Sequence, residues 1–172
     1  GYRNGTNADR RVDLSMVLDH LKTVVTEAVV FPAAAAVLIS VLLVWLVRAR
    51  RGRWKVLAGV LVPLHLVQLW LAAENWLGRP RYDELSLGVG LALAAVWCLL
   101  LAQKRDSAPI WSAVLALGLL CGPLLFVTPI GARNFLPVYG LLVLIALLLY
   151  REARAQGFAA LTGLAVPAAV LA

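Results

Sequence analysis

The sequence predicts an all-α fold: a polytopic bundle of five or six transmembrane helices preceded by an external amphipathic helix lying in the membrane interface. Three observations predict it. The 172-residue chain is 62% hydrophobic and 15% charged, where soluble domains average about 45–50% and about 25%. Its apolar residues form six long runs, 28–47, 56–77, 85–102, 110–130, 135–150 and 158–172. Its basic residues cluster between those runs. The runs are too continuous for a barrel, whose strands alternate apolar and polar positions. A mean hydropathy of +0.87 excludes a disordered tail and an ordinary cytosolic enzyme. The pI near 10.1 does not imply nucleic acid, because the positive charge lies in short inter-helix clusters.

The polar lead comes first. From Gly1 to Arg11 it is loop-like, with no signal-peptide pattern. Asn4-Gly5-Thr6 matches a glycosylation sequon, a three-residue pattern common by chance. From Val12 to Val29, Leu14, Val17, Leu18, Leu21, Val24, Val25 and Ala28 recur at helical spacing. Asp13, Asp19, Lys22, Thr23, Thr26 and Glu27 stand between them, so this segment reads as an amphipathic interfacial helix. Residues 1–27 form this external unit and residues 28–172 the transmembrane bundle, the whole read as a piece of a longer protein.

A helix rises about 1.5 Å per residue, so about 20 residues cross a hydrocarbon core about 30 Å thick. The first four runs reach that length. The fifth crosses if Arg133 and Arg151 snorkel, and the sixth is truncated or re-entrant. Pro32, Pro63, Pro123 and Pro167 are expected to kink their helices. Gly118 and Gly122 form a GxxxG pair that reads as a close helix contact, with Gly88, Gly90, Ala92 and Ala94 as further small residues. Cys98 and Cys121 lie inside apolar runs, without CxxC spacing, and read as packing residues.

Orientation follows from charge. Arg48, Arg50, Arg51, Arg53 and Lys55, then Lys104 and Arg105, then Arg151 and Arg154 mark three cytoplasmic loops. Those loops hold nine basic and two acidic residues, and the other side holds seven of each. The net charge of +7 is therefore a topology signal. Trp45, Trp54, Trp111 and Tyr150 fall at the cytoplasmic boundary, Trp76 and Tyr82 at the external one. Thirteen Arg against three Lys, with abundant Ala, Leu, Val and Gly, point to a GC-rich bacterial gene and a multi-pass plasma-membrane protein.

Three places carry chemistry. His65, Gln68, Ala72, Asn75 and Trp76 fall on one side of the second run. They form either a substrate-facing stripe or an interhelical hydrogen-bonding seam. Glu74 points to the opposite face, near the external boundary, as either an interface carboxylate or a partner of Arg79 or Arg81. The external loop 78–84 offers Arg79 and Arg81 as phosphate ligands and Asp83 or Glu84 as a base or metal ligand, or else is a solvated turn with local ion pairs. The short external turn 128–137 places Arg133 and Asn134 at the membrane surface, where Arg133 either meets a lipid phosphate or anchors the turn. His20 and His65 are too isolated to hold a metal, so no metal or cofactor is expected. There is no GxSxG, HExxH, P-loop or GxGxxG.

Arg133 with Pro137, after Pro129 and Gly131 and opening a Leu-rich span, resembles the late external turn of bacterial polytopic glycosyltransferase-like proteins of the GT-C class. The polar lead with Asn4, Arg10 and Arg11, then an amphipathic helix and a span, is similar to the middle of such proteins. Where that class carries Pro-Gly-Asn, this chain has Tyr2-Arg3-Asn4-Gly5. The resemblance implies a C-terminal part that binds a polyprenyl-phosphate sugar while the class's catalytic carboxylate lies in a region not present here. On that basis Arg133 stabilises the departing phosphate during transfer to an extracytoplasmic acceptor. The non-enzymatic alternatives are a transporter or flippase component, with the His65–Asn75 stripe lining a path, and a membrane scaffold subunit.

Overall fold

The computed structural model describes residues 14–48, 54–104, 108–126 and 132–158, with backbone only for Ala132 and Arg133. The Asn4 sequon, Arg50, Arg51, Arg53, Arg105, Pro167, residues 128–131 of the short turn and the sixth run beyond Phe158 lie outside that set. Every regular element among the described residues is helical. In chain order they are α1 (Leu14–Val25), a π turn (Thr26–Val30), α2 (Ala33–Val47), α3 (Trp54–Trp76), α4 (Glu84–Ala102), α5 (Ala108–Cys121) and α6 (Leu136–Ala155). A 3-10 turn, Gly122–Leu125, extends α5, and another, Ala132–Phe135, leads into α6.

Four stretches are long and apolar enough to cross a membrane: Trp54–Trp76, Glu84–Ala102, Ala108–Leu125 and Leu136–Ala155. Leu14–Val30 with Ala33–Val47 makes a fifth if the bent pair counts as one span. The molecule is an all-α membrane protein. Its first span, over 28–47, is broken near its start, at the Pro32 where a kink is expected. The chain bends by 65° between the π turn and α2, because Pro32 offers no N–H to continue the ladder. The remaining straight part, α2, is 15 residues long, or about 22 Å.

The other prolines behave differently from one another. Pro63 sits inside α3, which runs unbroken from Trp54 to Trp76. Pro123 coincides with the change from α5 to a 3-10 turn. Pro137 stands in the first turn of α6, where its missing N–H costs nothing.

The core forms around α2. Ala36, Ile39, Leu42, Leu43, Leu46 and Val47 are all buried, and α2 packs against α3, α4 and α6. Helix α5 packs on α6 and leaves Leu115, Leu119 and Leu120 exposed, as a lipid-facing helix does. The GxxxG expectation finds no partner among the described residues: a Cβ on Gly118 or Gly122 would meet none of them within 4 Å. The glycine in close contact is Gly90 on α4, where a Cβ would collide with Val25 and press on Val30 Cγ2 at 3.3 Å. Its lack of a side chain lets α4 reach the end of α1 and the π turn.

Candidate functional site

The polar chemistry gathers around the helix break. At the π turn, the Phe31 N–H donates to the Thr26 carbonyl, five residues back, at 2.9 Å. Beyond Pro32, the Ala33 N–H turns to the Phe31 carbonyl at 2.7 Å. The carbonyls of Val29 and Val30 are thereby left without their usual helical donors. At membrane depth no water replaces them, so another segment must. Gln68 of α3, fully buried, does so: its Nε2 donates to Val29 O at 2.9 Å and Val30 O at 3.1 Å.

This fixes the hydrogens along the rest of the network. Gln68 Nε2 is committed, so Gln68 Oε1 accepts, and His65 Nδ1, 2.6 Å away, must donate. His65 Nε2 then accepts from the Ser40 hydroxyl at 2.8 Å. The Ser40 oxygen in turn accepts from Trp97 Nε1 at 2.7 Å. One hydrogen-bonded chain thus joins α4, α2, α3 and the broken helix. Both ring nitrogens of His65 and both amide atoms of Gln68 are used within it. Asn75 does not join. It lies half-buried two turns further along α3, where its backbone carbonyl accepts from the Gly78 N–H.

The loop between α3 and α4 makes local ion pairs. Arg81 lies 3.0 Å from Asp83 and 5.2 Å above the Trp70 ring. It pairs with Asp83, not with Glu74. Exposed Arg79 bonds to Glu74 only through backbone, N–H to carbonyl at 2.9 Å. Asp83 caps α4 by accepting from the Ser86 N–H at 3.0 Å. That backbone donor, followed by the Ser86 hydroxyl and then Arg81, holds its carboxyl below the ordinary range. Glu84 pairs with Lys22 of α1 at 2.7 Å. Asn134 is half-buried in the 3-10 turn ahead of α6, and Arg133 precedes it on the same turn.

The residue that sequence reasoning missed is Glu27. The helical period puts it on the polar face of an amphipathic helix. Yet the π turn that carries it is enclosed on every side, with Thr26, Ala28, Val29 and Val30 buried as well, and Glu27 ends 9% exposed. Tyr82 donates to its Oε1 at 2.7 Å and Tyr139 to its Oε2 at 2.9 Å. Tyr82 also meets Phe31 edge-on, ring centroids 5.7 Å apart. Burial first, then the Glu27 carboxylate, push the Tyr82 hydroxyl far above its ordinary range, so it remains a donor. The signal in the sequence is an acid five residues before a proline, at the mouth of an apolar run.

Among the described residues, no three His, Cys, Asp or Glu gather to hold a metal. No protein family, no characterised protein and no solved structure matches this chain.

Proposed function

We propose that this protein binds a lipid-linked phosphate at the external end of its bundle, as the donor-binding part of a bacterial membrane glycosyltransferase. The sugar would pass from a polyprenyl-phosphate carrier to an extracytoplasmic acceptor. The observation that supports this reading is the setting of the Arg133 turn. Its 3-10 backbone opens α6 and packs against the π turn that carries Glu27, at the same end of the bundle as Arg79 and Arg81. A guanidinium there suits a phosphate, which it can bind through two parallel hydrogen bonds. It would also stabilise charge developing on the departing phosphate. The test is binding of a radiolabelled polyprenyl-phosphate sugar to the full-length protein in detergent. Arg133→Ala is expected to weaken binding at least tenfold, with partial recovery in Arg133→Lys. Unchanged binding and unchanged transfer overturn the reading.

A second reading, a transporter or flippase component, is favoured by one feature: a span broken at Pro32 with a buried carboxylate beside the break. Broken helices of this kind form the central sites of transporters. Lipid or solute flux in proteoliposomes, in the absence of sugar transfer, would select it.

A further inference from the structure

Glu27 carries a feature that the phosphate reading does not use. Both of its oxygens accept hydrogen bonds from phenols, the pattern of a carboxylate. A carboxylate removed from water is costly unless charge or donors compensate it. Yet the ion pairs at this end bypass it. Lys22 goes to Glu84 and Asp19, and Arg81 goes to Asp83. Among the described residues no cation pairs with Glu27.

The surroundings are rich in oxygen. A carboxylate offers about four lone-pair directions, of which the tyrosines occupy two. The two phenol oxygens, having donated their hydrogens, remain acceptors. On the same turn the Ala28 carbonyl has lost its helical donors, since Pro32 has no N–H and the Ala33 N–H is turned to Phe31. The Thr26 hydroxyl, fully buried, has no partner among the described residues. One carboxylate without a second acid matches a single positive charge, whereas divalent ions take several carboxylates. Tyr82 is 40% exposed and gives the site an approach from the end of the bundle.

We propose that Glu27, Tyr82 and Tyr139 form a binding site for one monovalent cation at the helix break, either a sodium ion or the ammonium of a head group. This proposal is independent of the phosphate reading. The test uses the purified full-length protein. Binding of radiolabelled sodium is measured by scintillation proximity, and binding of ethanolammonium by calorimetry in sodium-free buffer. Saturable sodium binding that Glu27→Gln weakens at least tenfold supports the ion. Ethanolammonium binding lost in the same variant, without sodium binding, supports the head group. Glu27→Gln keeps the shape of the side chain. Should it fail to fold, Tyr139→Phe is expected to weaken binding about threefold to tenfold instead. Neither ligand binding, or equal binding in the variants, overturns the proposal. So does a tenfold gain in Arg133→Ala, since that would show the site already filled by the chain's own guanidinium. Lipid-phosphate binding is unaffected by these outcomes and is scored separately.

Discussion

The two ends of the bundle handle charge in opposite ways. At the basic end, cations meet rings and acids within their own neighbourhood. The Arg48 guanidinium lies over the Trp45 ring, which also meets Phe158 edge-on at 4.5 Å. Lys104, its side chain 7% exposed, reaches Glu152 at 2.7 Å. Helix α6 closes there through Gly157 at a φ of 85°, with the Phe158 N–H on the Ala153 carbonyl. At the other end a buried carboxylate is held by neutral phenols, beside a helix whose ladder is broken. The basic end is finished locally and suits anchoring. The Glu27 end keeps a charge and unpaired oxygens in reserve, and suits recognition.

The comparison is broken most directly at Gln68. Gln68→Leu keeps the size but leaves two carbonyls without donors, and is expected to cost about 2–4 kcal/mol in reversible unfolding from mixed micelles. A cost below about 1 kcal/mol would mean that the break is satisfied some other way. Gly90→Ala ranks next, at about 1–3 kcal/mol, because its Cβ has no room against Val25 and Val30. Gly122→Ala, with open space around it, is expected within about 0.5 kcal/mol of the parent by the same measurement. At the basic end, Lys104→Met should cost about 1–2 kcal/mol by leaving Glu152 without its cation. An equal or greater loss than Gln68→Leu would reverse the ranking of the two ends.

The smallest effect concerns acid. The Asp83 carboxyl is lowered from its ordinary 3.8 by the Ser86 N–H, then by the Ser86 hydroxyl and Arg81. A carboxyl lowered on folding stabilises the native state above its unfolded value. That contribution declines as pH falls below about 4 and is gone below the folded value. Asp83→Asn should therefore lower stability slightly at neutral pH, flatten the acid limb of the profile and converge with the parent at low pH. A profile still as steep as the parent's would assign the acid sensitivity to other carboxyls.

Much of this architecture was legible in the residues. The apolar runs mark α3, α4, α5 and α6, because a membrane demands continuous apolar helices of a set length. The spacing of His65 and Gln68 marked a polar seam on α3, although not its partners Ser40 and Trp97, which lie 25 and 57 positions from the residues they bond. Pro32 announced a break, but the 65° bend and its repair by Gln68 needed a second helix. Gly118 and Gly122 have the spacing of a close helix contact, yet no described residue packs on them. Spacing shows that two small residues share a face and says nothing of whether a neighbour fills it.

The sequence by itself determined helix class, span lengths and the segregation of basic charge, since each depends on residues near one another in the chain. Only the tertiary structure decided the role of Glu27. The π turn that carries it is packed on every side, so even its polar face is buried. Tyr82 and Tyr139, 55 and 112 positions away, meet its two oxygens. No local pattern encodes contacts at that separation, because they exist only once packing has brought the broken helix, the α3–α4 loop and α6 to one place.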